Sequence, residues 1–433
     1  MMREMISHTF KDSVSGEAYK EILHPSGLTV YVYPKKLTTA YAMFTSRYGS
    51  LERTFRLAGE NFVTVPDGVA HFLEHKLFEQ EDGSDVFEGF AAMGASANAF
   101  TSNEMTSYLF STTSSVYEPL RKLLSFVMSP YFTEQNVEKE MGIIGQEIDM
   151  YEDQPAARLN QATLEALYRE HNIRVNIAGT KETISHITPD VLYRCYNTFY
   201  HPSNMLLTVV GDVDEECVLD AVDAVLGTEK RERLSIECRY PTETEAVEAE
   251  YTELSMQIAK PMLTFSAKDM TPLSNAKEKQ HHAYAVNILL KLLFSRSSPF
   301  YNDLYRRGLV SDSFNVMYEW LDSCAHFMIA AESDEPNTVF SEIEKLLKDI
   351  SEEMFTRDDF LRVKRAMYAD NIKMLDSTEE IAYNLTDAAI HDLTLWDAGD
   401  AIRAVSYEDI LLLAKNYFKD KHFVRVVIKP ITA

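Results

Sequence analysis

The chain has 433 residues, 45% of them hydrophobic and 25% charged, a composition that fits a globular protein with two cores and excludes a disordered or fibrous chain. Its formal charge of −25 argues against broad binding to nucleic acid or anionic lipid. The longest apolar runs, 205–210 and 424–428, are far too short to cross a bilayer, and residues 1–16 lack the apolar core of a signal peptide, so no membrane association and a cytoplasmic location are expected.

In chain order, residues 27–35, 40–48 and 97–110 alternate as strands do, the last after a Gly-Ala-Ser turn. Residues 69–78 and 116–128 have helical periodicity. A longer helix is predicted from a cap near Thr133 through Glu147, followed by a break at Gln154-Pro155 and another helix over 157–169. Residues 229–248 are rich in Glu, Arg and Thr with little apolar periodicity and read as an exposed linker. The four cysteines, Cys195, Cys217, Cys238 and Cys324, form no Cys-x-x-Cys pair, which argues against a thiolate metal site or a disulfide framework.

The two flanks of that linker resemble each other. A helix opening at Thr188, the aromatic pair Phe199-Tyr200 and an apolar strand from Met205 recur as a helix opening at Ser406, Tyr417-Phe418 and a strand from Phe423, at a constant offset of 218 residues. The helix around 140–148 has a counterpart at 364–372. A duplicated α+β domain explains this economically; the rival is coincidence between two common helix–strand units. The expected layout is therefore two homologous domains, 1–228 and 249–433, each a mainly antiparallel sheet packed with helices.

The sharpest chemical signal is His71-Phe72-Leu73-Glu74-His75. Residues i and i+4 of a helix share a face, so both imidazoles can address one metal ion, with Glu74 beside them as a proton acceptor. A catalytic zinc site needs a third protein ligand. Glu140, Ile144, Glu147 and Tyr151 fall on one helical stripe, so either carboxylate can supply it; a solvated acidic face explains the stripe equally well from spacing alone.

His-x-x-Glu-His is the inverted zinc motif, and the chain resembles the pitrilysin/insulinase family of metallopeptidases. The resemblance rests on HFLEH followed by Lys76-Leu77-Phe78, on GASANAFT at 94–101, on VEKE at 137–140 with GIIGQE at 142–147, and on FYHPSNM at 199–205. It implies one Zn2+ per chain held by His71, His75 and Glu147, with Glu74 as general base and Glu140 orienting the site. It also implies that Asn98, Ala99 and Phe100 form a strand edge on which an extended peptide lies; read alone, the same residues are a hydrophobic strand after a turn. The implied activity is a zinc-dependent endopeptidase. The alternatives are a non-catalytic assembly subunit of the same fold and a zinc hydrolase of another bond.

The second half departs from the family pattern. Lys364 and Asn371 stand where Glu140 and Glu147 repeat, and 285–290 offers no ligand, so that half is expected to be inert toward metal; His281-His282 reads as a surface or cap feature. The substrate-binding arginine and tyrosine of active members fall on Leu304 and Ser311. Arg306, Arg307, Tyr301 and Tyr305 are nearby substitutes, better read as ordinary surface packing. The resemblance is therefore to the zinc-bearing chain of a two-subunit enzyme, whose homologous partner chain supplies the Arg/Tyr pair; the alternative is a homodimer.

Overall fold

The alternating apolar stretches of the first half assemble into one sheet. In the computed structural model, which describes residues 5–431, the strands are β1 (Ile6–Lys11), β2 (Ala18–Leu23), β3 (Thr29–Pro34), β4 (Ala40–Ser46), β5 (Thr54–Leu57), β6 (Val63–Thr64), β7 (Ala95–Thr101), β8 (Thr106–Thr112) and β9 (Met205–Gly211). Seven of them form the sheet β1-β2-β3-β9-β4-β8-β7, antiparallel except for the β3–β9 pair. The stretch 97–110 is not one strand but parts of two. β7 turns at Ser102–Met105 into β8, where the Ser102 N–H donates to the Met105 carbonyl, a local turn that alternation alone does not mark.

Helices α1 (Val69–Leu77), α2 (Val86–Ala92), α3 (Tyr117–Val127) and α4 (Glu134–Glu152) follow, and Phe72, Leu73, Leu120, Leu124 and Ile144 bury their apolar stripes in a core shared with Val30, Phe44 and Phe110 of the sheet. The start of α1 is fixed by Gly68, at φ +91°, where a Cβ would lie 2.5 Å from the Ala178 carbonyl oxygen. Only glycine meets both conditions.

The remaining strands, β10 (Ile236–Cys238), β11 (Tyr251–Met256), β12 (Met262–Lys268), β13 (Asn315–Trp320), β14 (Ala325–Glu332) and β15 (Val424–Pro430), include a second sheet of order β11-β15-β12-β14-β13. This repeats β3-β9-β4-β8-β7 strand for strand, down to the single parallel pair beside the last strand. Helix Ala276–Phe294 stands between β12 and β13 as α1 stands between β4 and β7. The helices capped by Thr188 and Ser406, whose side chains accept from the N–H groups of Val191 and Asp409, lead into β9 and β15 as the repeat requires. The class is α+β with two homologous domains.

The compact units do not follow contiguous halves. One comprises the chain through Ile148, Asn176–Tyr240 and Lys373–Leu395; the other comprises Asp149–Val175, Pro241–Ile372 and the chain from Trp396 onward. In the second unit, α5 (Pro155–Leu167) packs on β12 and β15, with Thr163 Oγ1 2.6 Å from Thr264 Oγ1. In the first unit, the corresponding helix of the second repeat, Thr378–Ile390, packs on β4 and β9, with Thr386 Oγ1 2.8 Å from Thr208 Oγ1. The division expected at 229–248 follows the repeat, whereas each compact unit takes one helix from the opposite half. An apolar stripe shows that a helix covers a sheet, not which of two similar sheets it covers.

The segment 229–248 is mostly exposed but not featureless. β10 pairs with β5 in the first unit. In the second unit the Glu243 carboxylate accepts the N–H groups of Arg169, Glu170 and His171 and pairs with the buried Lys268 ammonium at 2.9 Å. Although its partial burial opposes ionisation, these donors hold the Glu243 pKa down to about 2.

Candidate metal centre

Helix α1 buries Val69, Phe72, Leu73 and Leu77, which leaves His71 and His75 together on its other side. Helix α4 is anchored by Val137, Ile144 and Ile148 and brings Glu140 and Glu147 against those imidazoles. His71 Nε2 is 3.7 Å from one oxygen of Glu147 and His75 Nε2 is 3.5 Å from the other. One ligand atom from each of His71, His75 and Glu147 fits within 4.8 Å of the others. A tetrahedral zinc with bonds of about 2.1 Å spaces its ligand atoms about 3.4 Å apart. The two His–Glu separations, one to each Glu147 oxygen, are near that spacing and too long for good hydrogen bonds.

The donor set fits zinc on a second count. The Nδ1 atom of His71 is buried without a hydrogen-bond partner, and the nearest acid to its Nε2 is the 3.7 Å Glu147 oxygen. Burial, with His75 beside it, pushes His71 down to about 4. Held neutral, the imidazole has a lone pair to offer a cation at Nε2, beside Glu147.

The second imidazole is held differently. His75 Nδ1 is 3.1 Å from Glu140 Oε1. Burial works against the charged form of His75, but the hydrogen bond and charge of Glu140, with Glu74 and Glu147, hold its pKa above the usual value. Burial would likewise raise Glu140, yet His75, Lys76 and Lys139 keep it below the usual carboxylate range. Three carboxylates around two imidazoles give an excess of negative charge that a divalent cation neutralises.

Glu74 is mostly buried beside them and its Oε2 accepts a 2.6 Å hydrogen bond from Thr101 Oγ1. Burial raises its pKa, and the Thr101 bond offsets part of that rise. Thr101 ends β7, the outermost strand of the seven, which pairs only with β8. Asn98, Ala99 and Phe100 lie on this strand, whose other edge has no strand partner among the described residues. Such an edge can accept one more strand.

The second unit presents no equivalent centre at the repeated positions. Ala285, Val286, Ile288, Leu289 and Leu290 of helix Ala276–Phe294 are buried apolar residues. Lys364 donates to the carbonyls of Arg403 and Val405. His282 is not a surface feature: its Nε2 is 2.8 Å from the buried Asp269, which also accepts from Tyr318. Leu304 and Tyr301 are core residues, and Arg307 is engaged by Asp303 and Glu342.

Two contributors escaped sequence reasoning. The Thr101–Glu74 contact joins residues 27 positions apart and has no periodic signature. Lys76 is fully buried, with its ammonium on Glu79 and 3.8 Å from Glu140 Oε2. Its position between Leu73 and Leu77 on an apolar face, with an acid at i+3, was the available signal.

Comparison with known proteins bears on this geometry. Residues 65–181 match the family described as Insulinase (Peptidase family M16), and residues 186–367 match the Peptidase M16 inactive domain. The chain is 42% identical over 388 residues to an uncharacterized zinc protease, YmfH, of Bacillus subtilis, covering 89% of this chain and 90% of that protein. This chain belongs to the M16 (insulinase) family. Among solved M16 structures, a putative M16-like peptidase from Alicyclobacillus acidocaldarius superposes with a TM-score of 0.89 at 30% identity over the whole of both chains. The periplasmic protease PqqL from Escherichia coli shares the fold, with a TM-score of 0.71 at 17% identity; the match covers 99% of this chain and 48% of PqqL. No helix among the described residues is long and apolar enough to cross a membrane.

Proposed function

We propose that this chain is a zinc-dependent endopeptidase acting on peptides or unfolded segments. The carrying observation is the convergence of His71, His75 and Glu147 at separations suited to tetrahedral zinc. When bound there, zinc supplies Lewis acidity to a water molecule and to a peptide carbonyl. Glu74, held by Thr101 at the end of β7, takes the proton from the attacking water. Glu140 fixes the ring of His75 through Nδ1, which leaves Nε2 as the ligand atom. A peptide laid along Asn98, Ala99 and Phe100 as an added strand is read through its backbone, so its scissile bond is carried past Glu74.

The second half supplies no guanidinium and phenol at the expected places, because Leu304 is in the core and Ser311 is a short hydroxyl. A homologous partner chain therefore completes the site. That this fold occupies under half of PqqL, a chain about twice as long, supports an arrangement of paired halves. The test is hydrolysis of an unfolded peptide by the chain with its partner, with and without a chelator. Chelator-sensitive cleavage restored by zinc is expected. A zinc-loaded complex without hydrolysis would favour a non-catalytic assembly subunit.

A further inference from the structure

Lys76 follows the second histidine of the motif, yet its side chain is wholly buried. An ammonium group is withdrawn from water at high cost unless carboxylates meet it. Here two do: Glu79, just past the C-terminal end of α1, and Glu140, from α4, with Oε2 3.8 Å from Nζ. The other oxygen of Glu140 is the one 3.1 Å from His75 Nδ1. The carboxylate of Glu140 thus lies between a lysine on one oxygen and a histidine on the other, and both belong to the same helix.

We propose that Lys76 is a positioning residue for the metal centre, acting through Glu140 on His75. This rests on the zinc reading above. A carboxylate held at only one oxygen can rotate about its Cγ–Cδ bond and swing that oxygen away from the imidazole. A cation at the second oxygen opposes the rotation and keeps the negative charge next to His75 Nδ1. Partners of this outer kind orient the ring and strengthen its other nitrogen as a ligand. Lys139 cannot take the role, because it is exposed on α4 beside Glu140 rather than facing it from α1. Lys76 touches no ligand position itself, so its effect reaches the metal only through the Glu140 carboxylate.

The test measures zinc affinity of the apo full-length chain by competition with a chromophoric chelator, together with the visible spectrum of the cobalt-loaded protein. Lys76→Met is expected to bind zinc about 10-fold more weakly, at the lower end of the range for outer partners of a ligand, and to alter the cobalt bands. Lys76→Arg, which keeps a cation there in a bulkier side chain, is expected to bind zinc more tightly than Lys76→Met. Glu79→Gln removes the other partner of Lys76 and is expected to leave zinc affinity near the parent value. If Lys76→Met does not fold, the Lys76→Met/Glu79→Gln double variant, which relieves one of the two stranded carboxylates, is measured in its place. Parent-like affinity and cobalt spectrum in the methionine variant would overturn the proposal. So would an equal loss in Glu79→Gln, which would mark a general loss of packing. A parent chain that binds no zinc would instead refute the peptidase reading.

Discussion

Thr101 donates a 2.6 Å hydrogen bond from Oγ1 to Oε2 of Glu74, which ties the acid of the zinc motif to the last residue of the open edge strand. The helix carrying the acid and the strand expected to receive substrate are thereby in register through one side-chain contact.

Removing that contact tests whether register matters. Thr101→Val keeps the shape of the side chain and deletes the donor. We expect peptide kcat to fall by about 10²-fold, the cost of a misplaced catalytic group, with zinc content unchanged, while Thr101→Ser stays near the parent. Zinc by mass spectrometry alongside peptide kinetics checks this. Equal kcat in the valine variant would mean that Glu74 is positioned by its helix alone.

The metal assignments separate by variant. His71→Ala, His75→Ala and Glu147→Ala should each lower zinc occupancy from about one per chain to a small fraction, since three protein ligands are needed. Glu74→Gln should keep the metal and lose turnover. Occupancy after dialysis, measured for all four, decides it; loss of zinc in Glu74→Gln as complete as in His75→Ala would make Glu74 a ligand.

The proposed need for a partner predicts an asymmetry. Alone, the chain should bind zinc well and cleave unfolded peptides poorly; a homologous subunit with the Arg/Tyr pair should raise the rate by about 10²–10³-fold, the worth of a donor to the developing oxyanion, at constant zinc content. Co-elution in gel filtration and kinetics of the mixed chains test it. Robust cleavage by the isolated chain would transfer attention to Arg306 and Arg307.

A stability prediction arises away from the metal. Glu52 is buried, its oxygens accepting the Gly49 N–H at 2.7 Å and the Tyr240 hydroxyl at 2.8 Å. Burial outweighs these bonds and pushes its pKa up from 4.5 to about 7. The folded state then binds more protons than the unfolded one between those values. Its contribution to stability is full below about pH 4.5 and is lost as the pH rises through 7. Glu52→Gln, which stays neutral, should raise Tm at pH 8 by several degrees, since each pH unit of displacement is worth about 1.4 kcal/mol. The difference should shrink toward zero by pH 4.5. Thermal melts of both proteins across that range would expose an error as a pH-independent difference.

The sequence by itself determined the elements with strong local signatures. The two histidines and Glu74 are three and four positions apart, so helical geometry alone groups them. The repeat at 218 residues predicted two similar sheets, because caps and apolar strands are local features and recur with their residues. Glu140 and Glu147 were legible as one stripe, but spacing left a solvated face equally open; packing of α4 against α1 set them beside the imidazoles. Tertiary structure alone decided which sheet α5 and helix Thr378–Ile390 each cover, that 97–110 folds back as a hairpin, and that Thr101 and Lys76 reach Glu74 and Glu140. Periodicity states which side of an element is apolar, whereas the identity of the surface it meets depends on the chain's long-range path.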